Sequence, residues 1–294
     1  MDDGHWVHNI DPFAIRFWGS VGIRWYGLAY LAGFGIAWWL LRRWSSQGRL
    51  PLDHQAIADA VLTIGICMIL GGRLGYCLFY LDDGLHGPPL AFFRDPLVFF
   101  RLWEGGMASH GGVAGLFLGT WWFARRRRIP FLVLGDCVGA TTGLGVLFGR
   151  IANFINGELW GRPSDVSWAI IFPADPSGLP RHPSQLYAAG LEGLLMLVVA
   201  LTVHHFHRRP GLTIGATIGT YSIGRFIGEF FREPDPGYEL YLGWMSKGQA
   251  LTIPLFIAAV CFTIYAWRRG HRPEAYSPLS TTQQEAPPPR RSHG

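Results

Sequence analysis

Residues 23–41 read IRWYGLAYLAGFGIAWWLL, and Arg42 and Arg43 follow at once. Beyond Arg24 the stretch carries no charge, and it ends on a paired basic stop. A helix needs about 20 predominantly apolar residues to cross a bilayer, so this stretch predicts one. Working outward from this first span at 20–41, comparable stretches recur near 56–80, 106–124, 131–153, 185–203, 211–231 and 249–267. The sequence thus predicts an all-α multi-pass membrane protein with seven transmembrane helices. The third and fourth are glycine-rich (GVAGLFLG, GATTGLGVLFG), a composition that lets membrane helices approach closely.

Composition agrees. Charged residues make up 15% of the 294-residue chain, against about 25% in a soluble domain. This excludes a disordered chain, a nucleic-acid-binding tail protein and a disulfide-stapled secreted domain, and makes a soluble enzyme a poor fit. Lys247 is the only lysine, and the remaining basic residues are arginines. Fourteen arginines fall in alternate short loops and the C-terminal tail, among them Arg42, Arg43, Arg49, the run Arg125 to Arg128, Arg208 and Arg209. The other loops hold seven basic residues. The positive-inside rule then sets the N-terminus outside and the C-terminus in the cytoplasm. The basic balance is read as a topology signal rather than a nucleic-acid surface, so no nucleic acid is expected as partner. No removable signal peptide and no internal repeat is apparent.

The predicted outer (periplasmic) loops are long, at 81–105, 154–184 and 232–248, and the inner ones short. The expected organisation is one membrane domain, 1–267, and a cytoplasmic tail, 268–294. The tail's Pro, Ser, Thr and Gln content (STTQQEAPPPRR) predicts disorder.

Eight charged residues remain inside the spans: Arg24, Asp59, Arg73, Asp136, Arg150, Glu192, Arg225 and Glu229. A charge at mid-bilayer costs about 2.5–3.5 kcal/mol on insertion scales, so each is a functional candidate. At 1.5 Å per residue, all but Asp59 and Asp136 lie within about 11 Å of the predicted outer boundary, as do Tyr26 and His110. Four arginines there face two glutamates, and a guanidinium fork matches a phosphate. A phospholipid headgroup is the anion expected at that depth. Arg24 is expected to snorkel, and Arg73 is open between pairing and phosphate contact.

Four stretches concentrate this chemistry. SHGGVAG at 109–115 sets His110, a general-base candidate, beside bare backbone. GRIANFINGELWGRP at 149–163 offers Arg150, Asn153, Asn156, Glu158 and Arg162 where a helix breaks into a loop; Arg150 and Asn153 share a face. Asn156 is expected as a C-cap. RHPSQLY at 181–187 starts the fifth helix, with Ser184 as N-cap and His182 as a loop residue. YSIGRFIGEFFREPD at 221–235 sets Tyr221, Arg225 and Glu229 on one helical face, where an Arg225–Glu229 pair could fix the guanidinium. No zinc motif and no Walker loop is present, and Cys67, Cys77, Cys137 and Cys261 are read as buried thiols.

These stretches resemble the bacterial prolipoprotein diacylglyceryl transferases over roughly residues 10–267. One position departs from that family's pattern: Ala152 stands where Gly is usual. The resemblance implies transfer of the diacylglyceryl group of phosphatidylglycerol to the lipobox cysteine of a preprolipoprotein, forming a thioether and releasing glycerol phosphate. It implies His110, Arg150 and Arg225 as catalytic residues, and Tyr26, Asn153, Glu158, Gly161, Tyr221 and Glu229 as substrate-binding ones. No cofactor or metal is implied, and the location would be the bacterial inner membrane with the active site toward the periplasmic leaflet. A phospholipid flippase or anion transporter is the alternative; it would want polar groups along a through-membrane path. An intramembrane protease would use Ser109-His110, but its usual serine setting is missing.

Overall fold

A computed structural model describes residues 4–19, 21–81, 90–101, 105–207, 209–233 and 243–269. The predicted tail beyond Arg269 lies outside the described residues, as do parts of the first and third long loops. All seven predicted spans are helices: α1 (Trp25–Ser46), α2 (His54–Phe79), α4 (Ser109–Arg126), α5 (Phe131–Ile155), a continuous helix Ser184–Phe206, α8 (Leu212–Gly228) and α9 (Lys247–Arg269). Ser184–Phe206 comprises α6 (Ser184–Ala188), a π-helical stretch (Ala189–Leu195) and α7 (Met196–Phe206). The short α3 (Leu90–Arg94) and a 3-10 turn (Pro96–Phe100) lie in the first long loop.

Among the described residues, four helices are long and apolar enough to cross a membrane: His54–Phe79, Phe131–Ile155, Ser184–Phe206 and Gly248–Arg269. The other three fall short by composition or length. Glycines and tryptophans dilute the hydropathy of α1 and α4, and α8 has 17 residues, at the lower limit of about 17–25 for a span. Mid-helix apolar side chains such as Leu62, Val113, Leu118, Val198 and Ile257 are exposed, the surface a membrane protein turns to lipid.

The prediction of an all-α chain needs one correction. Two small sheets occupy the loop regions: β1 (Trp6–Val7), β4 (Ile170–Ile171) and β5 (Pro180–Arg181) in the order β1-β4-β5, and the antiparallel hairpin β2 (Phe13–Trp18) with β3 (Val21–Arg24). Accordingly the first helix starts at Trp25, not at residue 20. Two-residue strands carry no readable alternation, so period-2 reasoning misses them.

Neighbouring helix ends are tied by specific contacts. Arg127 pairs with Asp59 at 2.5 Å, joining the end of α4 to the start of α2. Asp136 of α5 accepts the backbone N–H groups of Gly211 and Ile214 at 2.8 and 3.0 Å, so it caps the first turn of α8. Both acids of the predicted inner half are therefore structural. At this same end gathers the buried apolar cluster of Leu41, Trp44, Ile57, Phe123, Leu134 and Cys137. The cysteines divide: Cys77 and Cys137 are buried and Cys67 half-buried, but Cys261 is exposed, because it sits on the outward face of α9.

Glycine decides the tightest helix pair. Gly71 and Gly75 of α2 face Gly111 and Gly115 of α4 so closely that a Cβ at Gly111 would collide with the carbonyl of Gly71, and one at Gly115 with that of Cys67. The bare backbone beside His110 thus serves helix packing. Overpacking costs about 1–3 kcal/mol. Gly115→Val is expected to lower the thermal unfolding midpoint in detergent by several degrees, whereas Gly35→Ala, where a Cβ meets open space, leaves it unchanged or slightly higher. Equal midpoints for the two variants would contradict the close α2–α4 contact.

Candidate functional site

The site forms where three helices of different sequence regions converge. α5 carries Arg150 and Asn153 one turn apart before it ends at Ile155. Asn156 is its C-cap, as expected, and Gly157 turns the chain at φ +66. This tight reversal brings Glu158 back over the helix end. There its carboxylate accepts the Asn153 amide at 2.7 Å and the Asn156 amide at 3.3 Å. Leu159 follows at φ +59, a left-handed conformation unusual for a branched side chain. Two residues of α6 hold that turn down: Gln185 donates to the Glu158 carbonyl at 2.7 Å and Ser184 to the Leu159 carbonyl at 2.9 Å. Ser184 is therefore not the N-cap predicted for this helix; Pro183 takes that position, and the buried hydroxyl satisfies the loop carbonyl instead.

The π-helical stretch carries Glu192, whose side chain is 1% exposed. Gly193 packs on Leu147 of α5 and Gly224 of α8 packs on the backbone of Leu191, so the stretch is held between the two helices. Glu192 there accepts from Arg150 Nη2 at 2.8 Å and from Arg225 Nη1 at 3.4 Å. Arg225 also pairs with Glu229 one turn on, the pair read from the sequence. Glu229 in turn contacts Arg232 at 3.5 Å and accepts from Ser246 at 2.6 Å. A narrow cleft opens beside this cluster. Arg150, Arg225 and Arg232 line it, together with Leu159, Ser184 and Gln185, and Glu192 is its only carboxylate. Arg150 uses one N–H on Glu192 and has no other hydrogen-bond partner among the described residues. The cleft lining thus sets three guanidiniums against one carboxylate, and planar guanidinium forks are the kind of donor that matches phosphate oxygens.

Tyr26 and Tyr221 complete the surroundings. Tyr26 of α1 lies within electrostatic reach of Glu158 and Arg150, and receives the Tyr30 hydroxyl at 3.4 Å. Tyr221 of α8 lies within reach of Glu192, Arg225, Arg150 and Glu229. Of the nine sequence-selected residues, seven thus come together: Tyr26, Arg150, Asn153, Glu158, Tyr221, Arg225 and Glu229.

The other two sit differently. Gly161 is a crossing point of backbones, bonded to the carbonyl of His182 at 2.9 Å; an added Cβ would press on the carbonyls of Phe231 and His182. Its place is in the scaffold that carries Glu158. His110 is exposed at the first turn of α4, and no described residue hydrogen-bonds its ring. Among the described residues no hydrogen bond or ion pair joins it to the arginine cluster.

Among the open cases, Arg24 is exposed and lies over the ring of Phe13. Arg73 is 1% exposed and is not an anion binder: its guanidinium donates to the carbonyls of Val98, Phe99, Arg101, Gly105 and Gly106. It pins the first long loop to α2. The second long loop has a similar anchor. Buried Arg181 donates to Asp175, to Ser177 at 3.2 Å, to the Gly161 carbonyl at 3.1 Å and to Glu233 at 3.0 Å. Burial pushes the Asp175 carboxyl up, but the hydrogen bonds from Arg181 and Ser177 outweigh it and hold the group below the ordinary carboxylate range. His182 packs on Tyr187 and Phe231, and burial lowers its pKa against the opposing pull of Asp165.

Sequence reasoning left Glu192 and Arg232 outside the candidate site. Glu192 was visible as a charge in a span, but the π geometry that aims it between two arginines was not. Arg232 stands seven residues after Arg225, the spacing of a shared helical face, and that signal was available.

Long apolar helices that converge on a guanidinium-lined cleft mark an integral membrane protein. The chain matches the family model described as prolipoprotein diacylglyceryl transferase over residues 12–265. It is similar to the phosphatidylglycerol–prolipoprotein diacylglyceryl transferase of Rhodopseudomonas palustris, 46% identical over 280 residues, covering 92% of this chain and 95% of the relative. The namesake of Bradyrhizobium diazoefficiens is 45% identical (88% and 92% covered), and that of Geobacter sulfurreducens 42% (89% and 97%). The chain belongs to the prolipoprotein diacylglyceryl transferase family and is a transferase.

Two outcomes test this geometry. Removing one partner of a buried ion pair costs about 3–5 kcal/mol. Glu192→Ala is therefore expected to destabilise the protein by about that much in detergent unfolding, while Glu158→Gln, at an exposed group, stays within about 0.5 kcal/mol of the parent. Equal stabilities would deny Glu192 its central place. The lowered Asp175 carboxyl supports the loop fully above the ordinary carboxylate value of 3.8, and that support is lost as pH falls through the lowered folded value. Limited acid proteolysis at 161–182 should thus accelerate only below pH about 4. Acceleration already at pH 6 would contradict it.

Proposed function

We propose that this chain transfers the diacylglyceryl group of phosphatidylglycerol to the lipobox cysteine thiol of a preprolipoprotein. The substrates are those in the names of its relatives. The observation that carries the reading onto this chain is the Arg150–Glu192–Arg225 cluster, built on a buried carboxylate, beside a cleft lined by three arginines.

The chemistry follows from that arrangement. The substrate's thiol is the nucleophile, and its thiolate attacks the glycerol carbon that bears the phosphate. A C–S bond forms, the C–O bond breaks, and glycerol phosphate leaves with the bonding electrons. Negative charge grows on the leaving phosphate, and Arg150 and Arg225 are already oriented, by Glu192 and Glu229, to stabilise it. Arg232 adds a third donor at the cleft. A free thiol titrates near pH 8.5, so a base assists attack. His110 is the candidate, with its ring unengaged by any described residue. Asn153, Glu158 and Tyr26 would shape the lipid site; Gly161 would act through the loop, and Tyr221 through the arginines.

In this proposal all seven long helices span the inner membrane, the N-terminus faces the periplasm and the cleft opens at the periplasmic leaflet. Arginine–aromatic stacking supports the orientation. Arg42 lies over Trp38, Arg43 over Trp39, Arg126 over Trp122, Arg209 over Trp267 and Arg269 over Tyr265. These pairs stand at the helix ends opposite the cleft, where an aromatic belt and positive-inside residues belong. A flippase is disfavoured, since Asp59 and Asp136 are both engaged in fixing helix ends.

Purified protein given phosphatidylglycerol and a lipobox peptide, without metal or ATP, is expected to yield the lipidated peptide and equimolar glycerol phosphate. A requirement for either additive, or lipid consumption without peptide modification, would contradict the reading. His110→Asn is expected to lower the rate by about 10²-fold or more below pH 8, with partial recovery as pH rises toward that of the free thiol. A full rate across pH 6–9 would remove His110 as the base.

A further inference from the structure

A cavity of about 430 Å³ lies away from the arginine cleft. It sits between the end of α1, the α1–α2 turn and the end of α7. Trp39, Arg43, Trp44, Arg49, His204 and His205 shape it, and no Asp or Glu lines it. Along α1, Tyr26 of the cleft and Arg43 of this cavity are separated by roughly 26 Å at 1.5 Å per residue, close to the thickness of a hydrocarbon core. The cavity therefore belongs to the opposite membrane face.

Its construction is amphipathic. Leu40, Leu201 and two indoles supply apolar wall. Arg43 and His205 are exposed at the rim, with Arg43 held over Trp39. The back is fixed: Trp44 and His204 lie ring to ring at 4.3 Å, and Arg49 donates to the His204 carbonyl at 3.1 Å, tying the α1–α2 turn to α7. Basic pockets between membrane helices on the cytoplasmic side suit lipid phosphates, and a volume of this size suits a headgroup with its glycerol. A free phosphate would use the cations but leave the apolar wall in water.

We propose that this cavity is a second lipid site that holds the phosphodiester headgroup of an anionic phospholipid from the leaflet opposite the arginine cleft. The lipid bound there does not react. It clasps α1 to α7, the two helices whose other ends carry Tyr26 and, through the π-helical stretch, Glu192. The inference rests on the membrane reading above but not on the transfer reaction.

The full chain in detergent, photolabelled with a diazirine-bearing phosphatidylglycerol and mapped by peptide mass spectrometry, tests it. Label is expected on segments 39–49 and 201–207. Excess unlabelled phosphatidylglycerol should suppress it at least tenfold, and equal concentrations of phosphatidylcholine or inorganic phosphate should not. The Arg43→Ala/His205→Ala double variant, altered at two exposed side chains, should lose at least fivefold of this label while label near Arg150 and the transfer rate stay as in the parent. Undiminished labelling in the double variant, or equal suppression by phosphatidylcholine, would overturn the anionic site. Suppression by inorganic phosphate would overturn its assignment to a lipid. Loss of transfer in the parent protein with this labelling pattern intact would count against the proposed reaction and leave the second site standing.

Discussion

One carboxylate organises the functional end of this protein. Glu192 is buried between Arg150 and Arg225, and those residues come from three helices distant in sequence. Two guanidiniums this close repel each other strongly in a low-dielectric interior, so the arrangement exists only because Glu192 lies between them. The same carboxylate leaves the arginines part of their donor capacity. A second carboxylate in the cleft lining would neutralise it further; the lining has none, and Glu229 behind Arg225 fixes orientation. The result is a preorganised set of donors whose fold, not the ligand, bears the cost of orientation.

The rest of the molecule fixes that cluster at one end of the helices. Small residues close the α2–α4 pair, Asp136 caps α8, Arg73 binds several backbone carbonyls of the first long loop, and Arg181 ties the second through Asp175, Ser177, Glu233 and the Gly161 carbonyl. The apolar cluster sits at the other end, beneath the arginine–aromatic pairs. Chain packing and anion chemistry are thereby separated along the helix axes. The cleft can keep poorly compensated positive charge because the apolar packing lies elsewhere.

Most helix positions and bounds were legible in the sequence because long, mostly apolar runs stand out; all seven such runs are helices among the described residues, and four of these are long and apolar enough to cross a membrane. The facing of Tyr221, Arg225 and Glu229 followed from helical spacing, as did that of Arg150 and Asn153. Three features were not legible. The π-helical turn at Ala189–Leu195 breaks the 3.6-residue period, so the direction of Glu192 could not be derived from its position. Arg73 looked like an anion candidate because its partners are backbone carbonyls, which carry no sequence signature. Ser184 fitted a helix-capping pattern, but burial assigned its hydroxyl to a loop carbonyl. In each case tertiary contact overrode a local rule that was sound for an isolated helix.

The central claim is that Arg150 and Arg225 stabilise a departing phosphate. The most direct measurement is the single-turnover rate of peptide lipidation in Arg150→Ala and in Arg225→Ala, each at saturating phosphatidylglycerol and with folding checked by thermal unfolding. The account predicts that each folded variant loses about 10²-fold or more of the rate. Undiminished transfer in both would contradict it.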